Sequence, residues 1–154
     1  MRSLGSQRIG FHLGWGLGCL LAACSPYLER EAPGVFYDVQ LAASPPSTLC
    51  EELAGDAAAQ THFMVKWHGP LRRPDQCAAL LNDSLEAPRR EIWITTDAAR
   101  NLLFVELREL GPSGPVKPSP ETKEMGKRLE GLIHARFPAA KVTQGKRLSG
   151  LLAP

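Results

Sequence analysis

Glu91-Ile92-Trp93-Ile94-Thr95, followed by Leu102-Leu103-Phe104-Val105-Glu106-Leu107, decides the fold. Both runs are dense in β-branched and aromatic residues, which pack well on a pleated surface. The segment Asp97 to Asn101 between them has turn chemistry, so the two runs are expected to form a hairpin. Each carries apolar residues on both faces, which predicts central positions in a sheet.

Working upstream, Val35 to Leu41 is a further strand, with Val35, Tyr37, Val39 and Leu41 on one face and Phe36 opposite. Pro45-Pro46 ends it. Thr48 with Glu51 has the pattern of a capping box. A helix from there sets Leu49 and Leu53 on one stripe, with Cys50, Ala54 and Ala57 beside it. Thr61 to His68 alternates cleanly. Phe63, Val65 and Trp67 are expected inward, and His62, Met64, Lys66 and His68 outward. Gly69-Pro70 breaks that strand. Pro74 suits a helix first turn, and Cys77, Leu80, Leu81 and Leu85 follow at helical spacing up to Pro88.

Downstream, Gly111 to Pro120 reads as a surface loop. Ser119 and Pro120 are an N-cap and first-position pair for a helix with the stripe Met125, Leu129, Leu132, Ile133. His134 and Arg136 occupy its last turn, where cations favour the dipole. Lys141-Val142-Thr143 reads as a short last strand, and the tail Leu148 to Leu152 is apolar enough to dock. The expected class is α+β: a small, mainly antiparallel sheet with helices on one face, in the order βα-βαββαβ. The second group has the split βαβ order of ferredoxin-like folds, an expectation carried by element order alone.

The N-terminus concerns location. Arg2 and Arg8 precede an uncharged run from Ile9 to Leu21, shorter than the roughly 20 residues of a spanning helix. Leu21-Ala22-Ala23-Cys24 resembles the lipobox of bacterial lipoproteins. That resemblance implies removal of residues 1–23, acylation of Cys24 and attachment to a membrane through it. With Ser25 next rather than Asp, it implies the outer membrane, facing the periplasm. A plain secretory signal with an incidental cysteine is the alternative. Residues 24–34 then form a flexible tether, and residues 35–154 a single domain.

Lys and Arg number 18 against 16 Asp and Glu. Arg2 and Arg8 leave with the expected signal, so the remainder is balanced, which argues against bulk binding to nucleic acid. Charge is uneven, however. Residues 117–154 carry eight basic residues against three acidic ones, a surface that could face an anionic membrane or an acidic partner. Of the four cysteines, the lipobox resemblance implies that Cys19 leaves with the signal and that Cys24 is acylated. Cys50 and Cys77 remain as an even pair in an oxidising compartment, where a disulfide is expected. Two free buried thiols are the alternative.

No chemistry-bearing motif stands out. His62 and His68 lie about 20 Å apart on an extended chain and cannot share a metal. There is no GxSxG, HExxH or glycine-rich phosphate loop, and Glu51-Glu52 diverge on a helix. No metal or cofactor is expected. Trp67 and Trp93 are expected in the sheet, with an aromatic platform for a sugar or peptide as the alternative role. The row His62, Met64, Lys66, His68 is a candidate recognition face if its strand is at an edge. The leading expectation is a non-enzymatic lipoprotein, an accessory or binding subunit of an envelope complex for assembly, transport or secretion. An immunity lipoprotein against an envelope-targeting toxin and an envelope hydrolase are the alternatives.

Overall fold

The computed structural model describes residues 32–70 and 76–145. The expected signal, Cys24, the tether as far as residue 31, Pro74 and the apolar tail all lie outside the described residues. Along the chain the elements are β1 (Val35–Gln40), α1 (Leu49–Thr61), β2 (Met64–Pro70), β3 (Cys77–Asn82), β4 (Arg89–Asp97), β5 (Leu102–Gly111), β6 (Gly114–Val116), α2 (Pro120–Arg136) and β7 (Lys141–Gln144). Among the described residues they build one seven-stranded antiparallel sheet in the order β2-β3-β4-β5-β1-β7, with β6 on β5. The class is α+β, with both helices packed against the sheet.

The β4–β5 hairpin is the centre, as its residues require. Nine register pairs join it, from Arg89↔Leu110 to Asp97↔Leu102. A 3-10 turn at Ala98–Arg100 closes it, and Asn101 takes the left-handed conformation at φ 55°. Asn tolerates that region better than most residues. Ile92, Ile94, Leu103, Val105 and Leu107 face the helices, where they meet Val35, Tyr37 and Val39 of β1. Leu53 from α1 and Leu129 and Ile133 from α2 complete that core. Gly126 lets α2 approach closely: a Cβ there would stand 2.9 Å from Val35 Cγ1 and 3.3 Å from the Tyr37 hydroxyl.

One expected helix is absent. Cys77 to Asn82 is strand β3, not part of a helix reaching Pro88. Its residues suited either state, because a short apolar run without alternation fits a helix stripe or a strand covered on both sides. Packing decides. Ala79 pairs with Ile94 and Leu81 with Ile92 on the helix face, while Ala78 and Leu80 face the other way opposite Thr95 and Trp93. Pro88 lies in the turn before β4, after a cis peptide. Asp83 fastens this turn by accepting from Arg90 N at 2.7 Å and Arg90 Nε at 2.6 Å. The order is therefore βα-βββββ-αβ rather than βα-βαββαβ, and the split βαβ unit of ferredoxin-like folds is not formed.

Cys50 of α1 and Cys77 of β3 are joined by a disulfide, with Cα atoms 5.8 Å apart. The bridge closes a loop of 27 residues. In the chain-entropy model such a loop contributes roughly 3–4 kcal/mol. It also holds α1 over the β2–β3 end of the sheet.

The two helix starts differ. Ser119 caps α2 as its sequence indicates: its hydroxyl accepts from Thr122 N at 3.2 Å, and Pro120 follows. At α1 the expected capping box does not form. Thr48 has helical angles and no capping bond, and its hydroxyl donates to Glu52 Oε1 at 2.9 Å instead.

Candidate functional site

Strand β2 is the edge of the sheet and the most exposed element in it. Met64 is 47% exposed, Val65 40% and Trp67 44%. Of the three residues expected inward, only Phe63, which precedes the strand, is buried. The reason is position. Beyond β2 no described strand covers its outer side.

A bulge also corrects the expected faces. Met64 pairs with Asn82 and Val65 with Leu81, but the next pair is Trp67 with Leu80. Lys66 is the extra residue, and one extra residue flips every side chain after it. Val65 and Trp67 therefore lie on opposite faces although they are two apart. Trp67 shares the helix-free face with Leu80 and Trp93, and His68 turns to the helix side, 4.0 Å from Glu51 of α1. The expected row His62, Met64, Lys66, His68 is consequently not one face. His62 is not even in the strand: it ends α1 in the left-handed conformation, φ 60°, and its N–H donates to Ala58 O.

Behind Trp67 the helix-free face becomes polar. Glu91 is nearly buried and accepts from Arg89 Nε at 2.9 Å and from Trp93 Nε1 at 3.3 Å. Trp93 is thus fixed through its indole N–H, whereas Trp67 projects at the edge. Arg108 pairs with Glu106 and lies over the Phe36 ring at 5.9 Å. Asn82 Oδ1 is buried without a hydrogen-bond partner.

Two polar groups elsewhere serve structure. Glu109 of β5 accepts from Ser119 N at 2.8 Å and from the Thr122 hydroxyl at 2.7 Å. The Ser119 backbone bond first, then that of Thr122, holds its carboxyl below the usual value. This ties the start of α2 to β5. Tyr37 lies under α2, and burial first, then the Glu130 carboxylate, pushes its hydroxyl up to about 12. Neither opens onto a cleft with a second reactive group.

Two hollows remain. One of about 270 Å³ lies between the chain after β1 and the chain after α2, lined by Leu41, Pro45, Pro46, Leu49, Phe137 and Pro138. The other, about 340 Å³, lies between the helices against Asp56, Gln60, Leu132 and Arg136. Arg136 pairs there with Glu52 across the two helices. Among the described residues no group of three His, Cys, Asp or Glu could hold a metal ion. No described helix is long and apolar enough to cross a membrane.

Alternation identified β2 but assigned Trp67 to the core. The signals that point to its exposure are Lys66 within the strand and Gly69-Pro70 at its end, both common on edges. No family model, curated protein or solved structure matches the chain.

Proposed function

We propose that this protein is a lipid-anchored subunit that binds a protein partner in the cell envelope and does not itself catalyse a reaction. The observation that carries this reading is the β2 edge. It presents Met64, Val65 and Trp67 to solvent beside an unfilled side of the sheet. Three large apolar side chains grouped on one edge strand are a liability unless a partner covers them. The Leu21-Ala22-Ala23-Cys24 resemblance supports attachment through Cys24, on the periplasmic face of the outer membrane.

The test joins the two halves. Replacing Cys24 by Ser should move the protein from the membrane to the soluble envelope fraction. A photo-crosslinking residue at Trp67 should give one adduct of defined mass in intact envelopes, absent when the crosslinker is placed at Glu121 on the exposed side of α2. Unchanged membrane retention of Cys24→Ser rejects the anchor. Absence of any Trp67 adduct, with peptidoglycan turnover by the purified chain, rejects the binding role.

A further inference from the structure

The β2 edge also constrains what kind of partner fits. Resting on the binding role just proposed, we infer that β2 takes an extended segment of another polypeptide as an added strand. That segment carries an acidic residue opposite Lys66, with β-branched or other apolar residues on either side.

Backbone geometry supplies the first part. An edge strand offers outward N–H and C=O groups that an extended segment satisfies, here on either side of the Lys66 bulge. Side chains alternate on such a segment. One set would meet Met64 and Trp67 on the helix-free face, and the other Val65 and His68 on the helix side. Both faces of β2 thus offer apolar contact, and an added strand reaches both.

Charge supplies the second part. Lys66 lies in the middle of the exposed strand. Lys66 is the lysine that β2 offers to an incoming side chain. An acidic residue opposite it gains a cross-strand pair, and a basic one is repelled.

The same charge disfavours self-pairing of this strand about its middle. Two β2 strands paired about Lys66 would set it opposite itself, and like charges directly opposite are destabilising. Lys66 and its bulge are devices that block self-association at an edge. An acidic partner strand turns the same lysine from a barrier into a determinant of choice.

The experiment uses the full chain in detergent and a displayed library of random decapeptides. Selected peptides should be enriched in Glu or Asp flanked by Val, Ile or Thr, and their binding should slow amide exchange across residues 64–70. The charge reversal Lys66→Glu should weaken the selected peptides by about tenfold and shift a new selection towards Lys and Arg. Trp67→Ser tests the apolar half and should weaken binding without changing the charge preference. Peptides without acidic enrichment, or a selection unmoved by Lys66→Glu, overturn the inference. So does binding that protects other strands instead of β2. Each of those outcomes leaves the envelope-binding role standing, because that role is judged by the Trp67 adduct and the Cys24→Ser fractionation.

Discussion

Strands β2 and β3 lie side by side, paired from Met64↔Asn82 to Pro70↔Cys77, and differ in almost every other respect. By its alternation β2 is the more convincing strand, yet most of it is exposed. β3 has a run of small and aliphatic residues without alternation, yet all but Leu80 are buried. A strand's burial therefore follows from its neighbours. β3 has a strand on each side and α1 across it. β2 has β3 on one side and no described strand on the other.

This contrast can be broken most directly at Leu81, which is fully buried in β3. Leu81→Ala should cost about 4 kcal/mol in urea unfolding, as deleting a buried leucine commonly does. A cost under about 1 kcal/mol would mean that β3 is not interior. Next in size is the disulfide. Cys50→Ala with Cys77→Ala should lower stability by roughly 3–4 kcal/mol and loosen the β2–β3 end first, read by faster amide exchange there than at β4–β5. Equal loosening throughout would mean that the bridge does not act locally.

A smaller effect is expected where α2 meets β5. Glu109→Ala should cost about 1 kcal/mol at neutral pH, because two bonds to a partly exposed carboxylate are lost. The carboxyl's folded value lies below the ordinary 4.5. Its contribution is therefore present above pH 4.5 and disappears as pH falls through the folded value, so wild type and variant should converge in acid. At the alkaline end the sign reverses. Tyr37 is raised from 10.0 to about 12, so its contribution holds below pH 10 and is lost between pH 10 and 12. Tyr37→Phe should flatten that part of the stability profile. The smallest stability effect belongs to the edge: Trp67→Ser should stay within about 0.5 kcal/mol of wild type. It should still abolish most partner binding, and that separation sharpens the contrast with Leu81.

The parts of the fold legible in the sequence are those set by local chemistry. Ser119-Pro120 announced α2, and Ile92 to Leu107 announced the central hairpin. Central positions were legible for β4 and β5, because aromatic and β-branched residues distinguish a strand from a helix. Cys77-Ala78-Ala79-Leu80-Leu81 offered no such distinction, and only the gap between β2 and β4 resolves it. Alternation identified β2 as extended, but it set Val65 and Trp67 on one face, which the bulge undoes. It could not tell that the strand is last in the sheet, nor that Lys66 is an extra residue. Glu109 and Tyr37 were invisible for a different reason: their partners come from elements 10 or more residues away.

The Cys50–Cys77 bond makes residues 51–76 a covalent ring, and β2 is inside it. A protease that cut the chain once anywhere in this ring would leave a single molecule. The two pieces would remain joined through the Cys50–Cys77 sulfurs, and a freed β2 would stay tethered to β3 through α1. Exchange of β2 between two copies would require α1 to travel with it or the bond to be reduced. An exposed edge is ordinarily the part of a sheet most readily lost to nicking and swapping. Here it is held captive, so the surface most open to a partner is also one that a single cut cannot remove.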